Sequence, residues 1–224
     1  TQPGFYQKNV AGKVADWMET FPYQSESGNE TLRFLVCKDK ATLLYMANLG
    51  CIEINPWLSR IQKPGKPDYC LIDLDPDKSN SFNQVIEIAG LIKQILDEMD
   101  LPAYVKTSGS TGIHIILPLG AKYSYEQSRL LAGLIVTLAH KESPKLTSLE
   151  RSPAKRKGKI YLDYLQNRQI QTMAAAYSLR PKPGATASAP LHWAELKKGL
   201  KMTDFNIYTM PERVRQEWDL LKGL

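Results

Sequence analysis

Long apolar runs are missing from this chain of 224 residues: none reaches the length of a membrane span, and none sits in the charged and small-residue frame of a secretory signal. A membrane-crossing helix is therefore not expected. Cysteine is scarce as well. Cys37, Cys51 and Cys70 are odd in number, far apart and without C-x-x-C spacing. That pattern argues against a disulfide framework or a zinc site, and each thiol is expected to pack as a small apolar residue in a reducing cytoplasm. Internal repeats and long low-complexity linkers are absent too. The chain starts on Thr1 rather than Met, which reads as a fragment or a trimmed chain.

What is present is a normal core and an uneven charge. Hydrophobic residues make up 43% of the chain, enough for one large domain or two small ones. The net charge of +6 divides into +8 over residues 145–224 and −2 over residues 1–144. A basic half suits a polyanion such as nucleic acid, although a solvated basic face has the same composition.

Periodicity and punctuation give an element order. "TQPGFYQKNV" reads as loop or edge strand, "ESGNETLRFLVC" as a turn into a strand, and 39–49 as a helix. "CIEINPW" alternates and predicts a short strand. "DYCLIDLDPD" is a strand stopped by Pro76, and "SFNQVIEIAGLIKQILDEMD" a Ser-capped helix. "PAYVKTSGSTGIHIILPL" reads as strand, turn, strand, followed by a second long helix at "SYEQSRLLAGLIVTLAHKE". A basic irregular connector leads into the strand "IYLDYLQN". Helices are predicted at "APLHWAELKKG" and after Pro211. Around the acidic strand the order is β-α-β-β-α-β, an α/β (α+β) unit of the split βαβ or RRM-like kind, with both helices on one sheet face.

The acidic strand poses the chemical question. Residues two apart share a face, so Asp73 and Asp75 point together while Ile72 and Leu74 point to the packed side. Two adjacent carboxylates repel unless one is protonated or a divalent cation is bound. Asp163, in "IYLDY", is a third acid among apolar strand residues. If its strand neighbours the first, three carboxylates converge on a site suited to two Mg²⁺ or Mn²⁺ ions. D-x-D alone is also an ordinary exposed strand end.

"KTSGSTGIH" supplies the small residues and hydroxyls of a phosphate-approaching turn: Ser108, Gly109, Ser110 and Thr111. No G-K-[ST] follows, so it is not a Walker loop. His114 opens the next strand on the same side as the aspartates; a Ser-rich hairpin with a structural histidine is the plainer alternative. His140 and His192 carry no comparable context. "RSPAKRKGK" holds five Lys/Arg in nine residues. Lys159 alternates with Tyr161 and Asp163 and is predicted to share their face, with Arg156 and Lys157 just before it and Arg180 in "YSLRP" as a further cation.

Together "CLIDLDPD", "KTSGSTGIHIILPL", "KIYLDYLQN" and "AAAYSLRPKPGATASAPLHWAEL", in that order, resemble the polymerase domain of bacterial ATP-dependent DNA ligase D, of the archaeo-eukaryotic primase superfamily. The resemblance runs from "GFYQKN" through "WAEL". It implies a primase-polymerase fold whose RRM-like antiparallel sheet carries the catalytic aspartates, beside a smaller flanking α/β part: residues 1–66 flanking, 67–180 the core, 181–224 a C-terminal extension. It implies metal-binding and catalytic roles for Asp73, Asp75 and Asp163. Nucleotide-binding roles fall on Ser108, Gly109, His114, Lys159, Gln166 and Arg180, and DNA-binding roles on Phe5, Tyr6, Arg156 and Lys157. The basic segment that family members carry before "FYQK" is not in this sequence, nor is a K-x-D-G ligase nucleophile motif.

The function so implied is DNA-dependent nucleotidyl transfer. Ribo- or deoxynucleoside triphosphates are added to primer 3′ ends at breaks and gaps in bacterial non-homologous end joining, with two Mn²⁺ or Mg²⁺ ions. Implied partners are double-stranded DNA ends, gapped DNA, a Ku-type end-binding protein and a ligase domain, in a bacterial cytoplasm and at the nucleoid. Two other readings stay open: a non-catalytic DNA-end-binding module, and a D-x-D metal-dependent glycosyltransferase. The second needs neither a third strand aspartate nor a basic connector.

Overall fold

The computed structural model describes residues 4–24, 30–222 and 224. The first three residues of the predicted N-terminal loop and the predicted turn at 26–29 lie outside them. The chain divides into two compact units, Thr1–Cys51 and Ile52–Leu224.

In the first unit, β1 (Thr20–Gln24) and β2 (Thr31–Leu35) pair antiparallel, and α1 (Lys40–Asn48) follows. Asp39 caps α1 by accepting from the Thr42 amide at 2.8 Å. Strand β1 has no counterpart in the sequence reading; "TFPYQ" has Pro22 at its centre, which argues against a strand unless it lies at an edge, as here. Cys37 and Cys51 are exposed, contrary to the expectation of packed thiols; only Cys70 is buried.

The second unit is built on a six-stranded sheet. Its strands are β3 (Tyr69–Asp75), β4 (Tyr104–Thr107), β5 (Ile113–Pro118), β6 (Thr147–Ser148), β7 (Ile160–Asp163) and β8 (Pro190–Leu191), in the order β6-β7-β3-β5-β4-β8. All pairings are antiparallel except β6 with β7. Between them run α2 (Phe82–Glu98) and α3 (Tyr125–Glu142). The four central strands and two helices give the β-α-β-β-α-β order and RRM-like arrangement expected. Serines cap both helices in reciprocal boxes, Ser81 with Gln84 and Ser124 with Gln127, each worth about 1 kcal/mol.

Alternation along β3 divides the sheet into two faces. Cys70, Ile72 and Leu74 join the main core with Val85, Ile88, Ile92, Ala132 and Val136 of the helices. On the opposite face Leu71 and Ile116 pack with Leu58, Tyr125 and Met173 in a smaller cluster. Asp73 and Asp75 stand further along that second face. Among the described residues no helix is long and apolar enough to cross a membrane.

Three predicted elements differ. "CIEINPW" forms no strand; its carbonyls at Pro56 and Ile54 accept from the Met173 and Ala175 amides. "APLHWAELKKG" is not an α-helix but β8 followed by a single 3₁₀ turn, Trp193–Glu195. Here pairing of Pro190 and Leu191 with β4 outweighs helical spacing. The "IYLDYLQN" strand stops at Asp163, and the last helix, α4, covers Met210–Glu217.

Because β7 stops early, Leu71 has no strand partner on that side. Asn167 replaces one: its Oδ1 accepts from the Leu71 amide at 2.8 Å and its Nδ2 donates to the Leu71 carbonyl at 2.6 Å. Ser128 of α3 donates to the same Oδ1 at 3.0 Å. Asn167→Ala strands two buried backbone groups and is expected to cost about 3 kcal/mol in chemical denaturation. A loss under about 0.5 kcal/mol refutes that role.

Candidate active site

Antiparallel register places four polar residues on one rung across the sheet. Asp163 of β7 is opposite Asp73 of β3, Asp73 is opposite His114 of β5, and His114 is opposite Lys106 of β4. Directly opposed residues share a face, so all four project to the side away from the helices. Asp75 is opposite Tyr161 on the same face. The apolar alternation that buries Ile72, Leu74, Ile113, Ile115, Ile160 and Leu162 is thus what sets these side chains in a row.

The carboxylates differ in their partners. Asp73 is partly buried, and burial, then the charges of Asp163 and Asp75, push its carboxyl up to about 7. Its Oδ1 lies 3.4 Å from His114 Nε2. Asp75 accepts from Arg156 Nη1 at 2.8 Å. That guanidinium also sits 4.2 Å above the Tyr161 ring and donates to the carbonyls of Glu150 and Arg151. Asp163 accepts from the Leu165 amide at 2.8 Å, Gln166 Nε2 at 3.0 Å and the Tyr161 hydroxyl at 3.3 Å.

A cavity of about 190 Å³ opens beside Asp73, lined also by His114, Gln166, Arg180, Asn55 and the Thr172–Ala174 segment. Arg180 is held by Glu53 at 2.8 Å and donates to the Ser108 carbonyl at 2.7 Å. Lys106 is wholly buried behind this wall, and burial lowers its ammonium to about 7 despite the pull of Asp73. Burial, with the Lys106 and Arg180 charges, holds His114 well below the usual imidazole range, so the ring is neutral.

The Gly/Ser turn is built by its own hydroxyl. Ser108 Oγ accepts from the amides of Ser110 at 3.1 Å and Gly112 at 2.9 Å, which leaves its O–H as a donor. Gly109 has φ +70°, and a Cβ there meets Arg180 Cγ and the Ser188 amide nitrogen at 2.7 Å. Only glycine permits that approach.

The structure therefore brings together Asp73, Asp75, Asp163, His114, Gln166 and Arg180, with Arg156 on Asp75 and Ser108 and Gly109 beneath Arg180. It does not bring Lys159 to them. Lys159 precedes β7, and its ammonium donates to the Pro144 carbonyl at 2.7 Å, so the predicted shared face with Asp163 is corrected. Lys157 is exposed in the turn before β7. Phe5 and Tyr6 belong to the first unit and are exposed, with the Lys8 ammonium 5.9 Å from the Tyr6 ring.

Lys106, Glu53 and Asn167 went unassigned in the sequence. A lysine alternating with Val105 and Thr107 was a readable signal for the first; Glu53 and Asn167 carried none beyond their polarity.

As they stand, no three His, Cys, Asp or Glu side chains among the described residues are gathered around one ion position. The donor chemistry nevertheless fits a divalent cation. Three carboxylates share one face, and burial with two neighbouring carboxylates disfavours the charged form of Asp73, a conflict that a bound cation would relieve. Asp73, Asp75 and Asp163 are the residues that would hold such an ion.

Comparison with known proteins gives one answer. The chain is 32% identical over 214 residues to the bifunctional non-homologous end joining protein LigD of Bacillus subtilis, covering 95% of this chain and 34% of that protein. It is 29% identical to the multifunctional LigD of Pseudomonas aeruginosa, over 94% of this chain and 25% of the relative. It thus spans about a third or less of these relatives. The solved polymerase domain of Mycobacterium tuberculosis ligase D in complex with DNA superposes with a TM-score of 0.88 at 25% identity, covering 98% of this chain and 78% of that one. The family model for the LigD primase-polymerase domain matches residues 1–221, and the chain belongs to that family.

Proposed function

We propose that this domain transfers nucleotides from nucleoside triphosphates to primer 3′ ends on DNA, at the breaks and gaps that end-joining systems repair. The observation that carries the reading is the rung Asp163–Asp73–His114, set against a cavity with Arg180 and Gln166 on its wall. Asp73, Asp75 and Asp163 hold Mn²⁺ or Mg²⁺. Bound ions of this kind lower the pKa of a hydroxyl and stabilise charge growing on phosphoryl oxygens. Ser108 and His114 donate to the triphosphate, Arg180 neutralises it, and Gln166 orients Asp163. Arg156 and Lys157 meet DNA phosphate, and Phe5 and Tyr6 offer faces for base stacking. The ordered residues mainly position and neutralise, which is most of what phosphoryl transfer requires. A Ku-type end binder and a ligase domain are the partners this role calls for.

The test is primer extension on a gapped duplex with a 5′-phosphate, with Mn²⁺ and either ribo- or deoxynucleoside triphosphates. Template-directed addition is expected, lost on chelation and stronger with ribonucleotides. DNA binding with no addition under any metal supports the end-binding alternative, and sugar transfer from a nucleotide sugar without DNA supports the glycosyltransferase.

A further inference from the structure

Lysine is almost never fully buried unless its charge is matched. Lys106 is fully buried, and its side chain is not part of the cavity lining. Below about pH 7 Lys106 is an ammonium, with three N–H donors and no acceptor. Its partners number three: His114 Nδ1 at 2.8 Å, the Ala174 carbonyl at 2.9 Å and Ser188 Oγ at 2.5 Å. The Ser188 hydroxyl spends its own proton on the Thr107 carbonyl at 2.9 Å, so Oγ accepts from the ammonium. A carbonyl only accepts. The third N–H therefore points at His114 Nδ1, which must be bare, and the ring proton sits on Nε2. That nitrogen is 3.4 Å from Asp73 Oδ1, an atom that also favours an N–H on this side. Every neighbour agrees on one tautomer.

We propose that Lys106 is a positioning residue: it locks His114 as the Nε2–H tautomer, so that a single fixed N–H faces the cavity beside Asp73 for a phosphate oxygen of the nucleoside triphosphate. The same ammonium ties β4 and β5 to Ala174 on the cavity wall. The ligand's identity rests on the nucleotide-transfer reading above; the lock does not.

At pH 6, where Lys106 is an ammonium, nitrogen-15 histidine spectra of the ligand-free chain should show His114 with bare Nδ1 and protonated Nε2. A protonated Nδ1 in the wild type overturns the proposal without any variant. Lys106→Met keeps the apolar stem and drops the donors. It should turn the His114 signal into a tautomer mixture and raise KM for the triphosphate about tenfold in primer extension, with kcat within about twofold. Lys106→Gln, which retains an N–H donor, should recover most of that KM. In a His114→Ala background Lys106→Met should add nothing to KM. An unchanged tautomer in Lys106→Met, or the same KM increase with and without the imidazole, overturns the proposal. If the wild type shows the lock but transfers no nucleotide, the lock stands and the nucleotide reading falls.

Discussion

Asp73→Asn is expected to cut nucleotide addition by about a thousandfold or more while making the metal-free protein harder to melt. The two effects share one cause. Asp73 stands on the rung between Asp163 and His114, with Asp75 two residues on along the same face. Burial and these two carboxylates raise it to about 7. An Asp whose folded value lies above its unfolded one binds more protons when folded, so stability falls as pH rises from about 4 to about 7. Above that the charge is present and its cost is constant. Asparagine keeps the shape without the charge. In chelator at pH 8 the variant should melt several degrees higher, and the fall attributable to this position between pH 4 and 7 should disappear. Mn²⁺ should raise the wild-type melting temperature and leave the variant's nearly unchanged. Loss of a metal-holding carboxylate removes several kcal/mol of transition-state stabilisation, about a factor of ten for each 1.4 kcal/mol. Wild-type rates from the variant, or a lower melting temperature with the pH slope intact, would refute this account of the site.

Gly112→Ala is expected to destabilise the fold by about 3 kcal/mol or more and to abolish addition with it. A Cβ at Gly112 falls 2.1 Å from the Leu74 carbonyl oxygen. That oxygen belongs to β3 between Asp73 and Asp75, so a shift large enough to admit the methyl moves both aspartates. The same residue donates its amide to Ser108 Oγ and accepts from the Ser108 amide, and the turn loses its closure. Gly90 on α2 is the control: nothing lies within 4 Å of a Cβ there, and Gly90→Ala should stabilise by up to about 1 kcal/mol. Urea melts of the two variants separate steric conflict from the general effect of replacing glycine. A Gly112→Ala protein within about 0.5 kcal/mol of wild type sinks the argument.

Much of the fold was legible because its signals are local. Amphipathic apolar spacing announced α2 and α3, with a Ser cap marking the start of α2, and alternation ending at Pro76 announced β3 together with the common face of Asp73 and Asp75. Elements whose pairing partners are distant were not legible. β8 exists because β4 offers Pro190 and Leu191 an edge, and the "CIEINPW" segment is bonded by residues more than a hundred positions away. The face assigned to Lys159 failed for a related reason: the strand begins only at Ile160, so alternation does not extend back to it.

By itself the sequence determined which acids, hydroxyls and cations were present and that Asp73 and Asp75 shared a strand face, since that follows from the two-residue repeat of a strand. It could not determine that Asp163 stands opposite Asp73, that Arg156 covers Asp75, or that a buried Lys106 holds His114. Those depend on register between strands separated by tens of residues, and register is settled only when the whole sheet packs its apolar face against the helices.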